Sequence, residues 1–372
     1  MSSPVRVLVV DDSALMRKLI PQILRGDDSI EVVGTAMDGT FGLRKIEELK
    51  PDVITLDLEM PGLSGLDTLK AIRTRFRLPV IVVSAHSTEG ATQTMRALSL
   101  GAFDFVAKPV DVTERMPEIA GELIAKIKAA AQAPAFKHLP EPAKHLSKGA
   151  GEPNARPARV IAIGISTGGP QALQYLLPQL PADFPAAIVI VQHMPEGFTD
   201  KFARRMDEIC AIRVKEAQSG DALRAGVALV CPGNRHLKIK RLFNEEIAVL
   251  SEDPHVNGHR PSVDVLFRSV ADECGSRSIA VLMTGMGDDG ARALGEVQAE
   301  GGLTIAQSEE SCVVYGMPKA AIERGYASRI LSLEALGPAL IAECTADPKS
   351  EHKLEHKKEN GSAGFAAGSG KS

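Results

Sequence analysis

The chain has 372 residues, 44% hydrophobic and 24% charged, with a formal net charge of −4. That balance fits two or three soluble globular domains and excludes the strongly basic footprint of a general nucleic-acid or anionic-membrane binder. No signal-like segment opens the sequence, no run approaches a membrane span, and five scattered cysteines (Cys210, Cys231, Cys274, Cys312, Cys344) form no C-x-x-C pair. The expectation is a cytoplasmic protein with no disulfide framework, no zinc site and no direct membrane insertion.

In chain order, apolar runs at Val5–Val10, Ile30–Ala36, Val53–Leu56, Pro79–Val83 and Phe103–Val106 read as buried parallel strands. Helical patterns separate them, and another follows over Val112–Ala130. Five βα units predict a doubly wound, flavodoxin-like α/β domain, whose function sits at the carboxyl ends of its strands. Those ends carry Asp11 and Asp12, then Asp57 with Glu59 beyond it, then Ser84, then Lys108. An Asp-Asp pair alone is commonly a solvated turn. Three acids on adjacent strand ends form an anionic pocket suited to Mg²⁺, and a lysine beside them can hold a phosphoryl group.

On these residues the first module, residues 1–130, resembles the response-regulator receiver domain. The resemblance implies that a histidine kinase phosphorylates Asp57. It implies carboxylates of Asp12 and Asp57 on Mg²⁺, the Glu59 carbonyl as a further ligand, and Asp11 acting through water. It places Ser84 and Phe105 at the switch positions and Lys108 on the phosphoryl oxygens.

Residues 131–157 change composition, with prolines spread among Ala, Lys, Gly and Glu, and read as an exposed linker. Residues 346–372 alternate charge and then run into Gly, Ser and Ala, and read as a disordered tail.

A second α/β series occupies residues 158–345. Apolar strands are expected at Val160–Ile163, Ala187–Val191, Val227–Val230, Ile279–Met283 and Leu303–Ala306. Helices are expected at Gln171–Leu177, Phe198–Ile209, Ser262–Glu273, Gly290–Glu300 and Lys319–Arg324, and a hairpin within Leu237–Val249. The first strand runs into Gly164-Ile165-Ser166-Thr167-Gly168-Gly169-Pro170. A serine between glycines on a strand-to-helix turn has its hydroxyl lifted off the sheet, beside the free N–H groups of a helix start. Such a turn serves a nucleophile or, equally often, a phosphate. His193 follows the second strand, and Asp288 and Asp289 follow the fourth. All three turns fall on one sheet edge. A serine needs a base, and the base needs an orienting carboxylate. Read singly, His193 can simply bond a carbonyl, and Asp288-Asp289 can cap a helix. His236, His255 and His259 compete as bases.

The Ser166 turn, Val191-Gln192-His193-Met194, His259-Arg260-Pro261-Ser262-Val263-Asp264-Val265-Leu266-Phe267 and Thr284-Gly285-Met286-Gly287-Asp288-Asp289-Gly290 resemble the CheB methylesterase catalytic domain. With the receiver in front, the resemblance spans residues 1 to about 345. It implies Ser166 as nucleophile, His193 as general base and Asp289 as orienting acid. Asp288 stands where the family has asparagine. It further implies a Met286 N–H in the oxyanion hole and support of the histidine by Thr167. The implied reaction is hydrolysis of glutamate methyl esters on chemoreceptors, releasing methanol, with deamidation of receptor glutamines by the same acyl-enzyme. No cofactor is implied for the hydrolysis. The expected partners are methyl-accepting chemoreceptors and a kinase, with no nucleic acid. Two rivals remain: another serine esterase or peptidase under receiver control, and a non-catalytic signalling adaptor. Arg260 is open between binding an acidic receptor side chain and an internal salt bridge. The unphosphorylated receiver is expected to pack over the active-site edge.

Overall fold

A computed structural model describes residues 3–109, 112–132 and 155–345, with only the backbone of residues 112–118. The expected linker lies mostly, and the expected tail wholly, outside the described residues.

The first domain runs β1 (Val5–Val10), α1 (Met16–Leu24), β2 (Ile30–Ala36), α2 (Gly39–Leu49), β3 (Val53–Leu56), α3 (Gly65–Arg75), β4 (Val80–Ser84), α4 (Thr88–Ser99), β5 (Asp104–Ala107) and α5 (Val112–Gln132). Its sheet is parallel in the order β2-β1-β3-β4-β5. β3 and β4 are buried along their whole length, which explains why all but Thr55 and Ser84 in them are Val, Ile or Leu. Asp38, Ser64 and Ser87 cap α2, α3 and α4, each accepting a backbone N–H from the first turn. The strand order reverses beside β1, and the crevice at that reversal lies between the ends of β1 and β3.

The second domain runs β6 (Arg159–Ile165), α6 (Gly169–Leu176), β7 (Ala186–Gln192), α7 (Phe198–Ile209), β8 (Arg213–Glu216), β9 (Val227–Val230), β10 (His236–Leu242), β11 (Glu245–Ser251), α8 (Val263–Cys274), β12 (Ser278–Leu282), α9 (Ala291–Ala299), β13 (Leu303–Gln307), α10 (Met317–Glu323), β14 (Arg329–Leu331) and α11 (Leu333–Thr345). Seven strands form a parallel sheet ordered β14-β13-β12-β6-β7-β9-β8, while β10 and β11 form a separate antiparallel hairpin. β6 lies between β12 and β7, so the turns carrying Ser166, His193 and Asp289 leave three neighbouring strands at the same edge.

The two domains are in contact. α4 packs on α7, and Phe105 stacks on Phe198 with ring centroids 4.9 Å apart and planes 19° from parallel. Gln171 Nε2 donates to the Ala102 carbonyl, and Val313 packs against the first domain's core.

Candidate active site

The turn after β6 is held by backbone bonds to both neighbours. Ser166 N–H donates to the Thr284 carbonyl at 3.0 Å, and His193 N–H donates to the Ile165 carbonyl at 3.1 Å. Gly168 adopts φ +76°, and a Cβ there would meet Val313 at 2.6 Å, so conformation and space both demand glycine. A Cβ on Gly285 would lie 2.8 Å from Ser166 Cβ, so that glycine lets the β12 turn close on the serine. Gln192, buried between them, donates from Nε2 to the carbonyls of Ser166 (3.0 Å) and His193 (3.1 Å). One amide thus ties two of the candidate turns together.

His193 Nε2 lies 2.9 Å from Asp289 Oδ2. Asp289 is buried, which by itself would raise its pKa. The His193 contact outweighs this, together with bonds from Ser262 Oγ (2.7 Å) and Val263 N–H (2.6 Å), and holds the carboxyl at about 2. Asn257 Nδ2 and Asp264 N–H add further donors at 3.0 and 3.3 Å. The carboxylate therefore sits on the N-terminus of α8, where free N–H groups and the helix dipole favour an anion. A fixed anion at Nε2 puts the imidazole proton there and leaves Nδ1 as acceptor. Nδ1 is buried and has no hydrogen-bond partner among the described residues, and Ser166 Oγ likewise has none.

The two adjacent acids separate cleanly. Asp288 is exposed and pairs at 2.9 Å with Arg324, the residue just past α10. Met286 is half exposed at the same turn, and no described residue accepts from its N–H. Thr167 is buried; its carbonyl accepts from Thr284 Oγ1 at 2.9 Å, and no hydrogen bond joins it to His193 among the described residues.

The competing histidines divide as well. His236 is buried with both nitrogens engaged, Nε2 to the Pro254 carbonyl and Nδ1 to Ser262 N–H; burial pushes its pKa down. His255 is exposed. His259, a competing base and the first residue of the His259–Phe267 motif, stacks on His193. Sequence gave no sign of this, although Asn257-Gly258 before it is a tight-turn dipeptide. Arg260 spends its guanidinium internally, on Asn234 Oδ1 and the carbonyls of Glu252 and Asp253.

In the first domain, carboxylate oxygens of Asp11, Asp12 and Asp57 converge within 4.8 Å of one another. Lys108 Nζ reaches Asp57 Oδ2 at 2.7 Å and Asp11 Oδ2 at 3.1 Å. Burial raises the Asp11 pKa and the Asp57 charge adds to the rise, against Lys108. Burial pushes Lys108 down, but the two carboxylates outweigh it and hold it above its ordinary value. Glu59 N–H donates to Asp57 Oδ1 at 3.2 Å, and buried Ser84 donates to the Gly90 carbonyl at 3.1 Å. Phe105 is the ring stacked on Phe198.

Comparison with known proteins agrees with both halves. Residues 161–340 match the family model of the CheB methylesterase, and residues 7–120 match that of the response regulator receiver domain. A protein-glutamate methylesterase/protein-glutamine glutaminase of Koribacter versatilis is 56% identical over 93% of this chain and 98% of its own. One of Symbiobacterium thermophilum is 46% identical over 91% and 96%. The chain belongs to the CheB methylesterase family. It is a hydrolase carrying a receiver domain, and its α/β architecture is the expected one. The crystal structure of the Thermotoga maritima CheB methylesterase catalytic domain is also similar, with 42% identity, 49% of this chain and 97% of that chain covered, and a TM-score of 0.49.

Proposed function

We propose that this CheB-family chain hydrolyses glutamate γ-methyl esters on methyl-accepting chemoreceptors, and deamidates receptor glutamines, under control of phosphorylation at Asp57. The observation that carries the reading is the 2.9 Å His193–Asp289 pair, which joins the two turns flanking the one that presents Ser166. Residues 1–130 are the receiver, 131–157 the linker and 158–345 the catalytic domain in this reading, and the protein works in the cytoplasm. No described helix is long and apolar enough to cross a membrane.

Ser166 Oγ attacks the ester carbonyl carbon while His193 Nδ1 takes its proton. The imidazolium is stabilised by Asp289, and the tetrahedral oxyanion takes a hydrogen bond from Met286 N–H. Collapse breaks the C–O bond, and His193 returns the proton to methoxide, releasing methanol. With a glutamine substrate the leaving group is ammonia. Water then gives a proton to His193 and attacks the acyl-enzyme, and glutamate and free Ser166 are released. Thr167 braces the turn that carries Asp289, its carbonyl accepting from Thr284 Oγ1.

In the receiver the convergent carboxylates of Asp11, Asp12 and Asp57 fit a hard divalent cation; the proposed ion is Mg²⁺, with the Glu59 carbonyl proposed as a further ligand. Bound there, it would offset charge on an incoming phosphoryl group. A histidine kinase supplies that group to Asp57. Lys108 and Ser84 then close on its oxygens, and Phe105 follows, leaving its place against Phe198.

The test is methanol release from methylated receptor, with and without a small phosphodonor and Mg²⁺. Release that rises with phosphodonor, fails to rise in Asp57→Asn, and falls about 10³-fold in Ser166→Ala is the expected result. No release under any condition would favour the adaptor reading. Release from small esters but not from receptor would favour a different serine esterase.

A further inference from the structure

His259 has no place in the reaction so far, yet it lies against the proposed base. Its ring and that of His193 have centroids 3.9 Å apart and planes 10° from parallel. The loop that carries it is short and pinned. Val256 and His259 exchange two backbone hydrogen bonds, at 3.1 and 2.9 Å, across Asn257 and Gly258. Those two residues take φ +53° and +78°, the pattern of a primed two-residue turn. Asn257 Nδ2 bonds Asp289 Oδ1 at 3.0 Å and Asp264 Oδ2 at 2.6 Å. Arg260, on the other side, is fixed by Asn234, Glu252 and Asp253. The loop therefore hangs from the same carboxylate that bonds His193.

One hydrogen bond to Asp289 fixes one edge of the His193 ring but leaves the ring free to swing about that bond. Nδ1, the nitrogen that must meet the serine proton, has no partner of its own among the described residues. A flat group against the ring face removes the remaining freedom. We propose that His259 is a positioning residue, stacked on His193 to fix the plane in which Nδ1 meets Ser166. A neutral π-face also accommodates the imidazolium that forms on His193 during turnover, whereas a charged His259 would repel it. The groups facing His259 are His193, Asp289, His255 from its own loop and Glu122 from α5 of the receiver. Burial, then His193, push its pKa down to about 4.

This inference rests on His193 being the base, and the experiment separates the two. The full chain, with phosphodonor and Mg²⁺, is assayed as His193→Ala and as His259→Phe, His259→Leu and His259→Ala. His193→Ala tests the base alone, and its full activity would remove the reading beneath. With that variant inactive, His259→Ala and His259→Leu should lower kcat about 10²-fold with little change in KM. His259→Phe, which keeps a flat neutral face, should recover to within about fivefold of the parent. Leucine performing as well as phenylalanine, or phenylalanine no better than alanine, would overturn the proposal. If the aliphatic variants fail to fold, ¹⁵N-histidine NMR of the unaltered chain decides. His259 neutral at pH 6 supports the stack, and a protonated His259 there refutes it.

Discussion

The carboxylate of Asp104, in the receiver, accepts a hydrogen bond from the backbone N–H of Gly168 in the nucleophile turn, at 3.0 Å. Asp104 is buried, and its other oxygen lies 3.3 Å from Lys126 Nζ. Lys126 in turn bonds Glu122 and the Phe105 carbonyl, both at 2.6 Å. Burial pushes Lys126 down, but Asp104 and Glu122 outweigh it and hold it above its ordinary value. The receiver thus places a charged, internally braced carboxylate two residues from Ser166. The next residue, Phe105, is the ring on Phe198, and its N–H donates to Asp104 Oδ1 at 2.7 Å.

Asp104→Asn tests this contact. The amide keeps the shape but loses the charge, and a charge-assisted bond contributes about 1.5–3 kcal/mol where a neutral one contributes about 0.5–1.5. A loss of about 1 kcal/mol in domain docking should raise methanol release without phosphodonor roughly fivefold, leaving the phosphorylated rate unchanged. An unaltered basal rate would mean that Asp104 holds the domains together without holding the enzyme off.

Asp288 and Asp289 provide a second test, because they are adjacent and chemically alike. Asp289→Asn removes the anion that fixes the His193 tautomer, and kcat should fall about 10³–10⁴-fold. Asp288→Asn removes only an exposed pair with Arg324, for which about 0–1 kcal/mol of stability and no clear loss of rate are expected. Equal damage from both, measured by methanol release, would contradict the division of roles.

Much of this arrangement was legible in the chain. Buried parallel strands must be apolar on both faces, so β1, β3, β6, β7 and β12 stand out as Val/Ile/Leu/Ala runs. The residues just beyond them are the chemical ones. What was missed lacks that signature. β8, Arg213-Val214-Lys215-Glu216, is a charged edge strand with Val214 alone fully buried. β14 is a three-residue edge, and α11 carries Gly337 and Pro338 where a helix pattern is least expected. The His193–His259 stack joins a strand end to a loop, and the Asp104–Gly168 bond joins two domains. Neither has a period or spacing to read. The long His259–Phe267 stretch supplies the start of α8, whose Ser262, Val263 and Asp264 hold the Asp289 carboxylate.

The depressed pKa values separate two windows of acid sensitivity. Asp289 is lowered to about 2, so its contribution to stability is complete above its ordinary value near 3.9 and fades as pH falls towards 2. His259 is lowered from 6.5 to about 4, so the folded chain keeps it neutral where the unfolded chain takes up a proton. Its contribution is complete above pH 6.5 and is lost as pH falls towards 4. Burial lowers His236 too, so it likewise loses stability on acidification. Asp289 should therefore cost nothing between pH 7.5 and 5, while His259 should cost roughly 1–2 kcal/mol, at about 1.4 kcal/mol per pKa unit. Urea unfolding of the parent and of His259→Phe at both pH values isolates that share, since every other titrating group is common to the two. The parent's midpoint should drop further on acidification than the variant's. Equal drops would mean that His259 is no harder to protonate in the folded chain than in the unfolded one, and the buried stack would not survive that result.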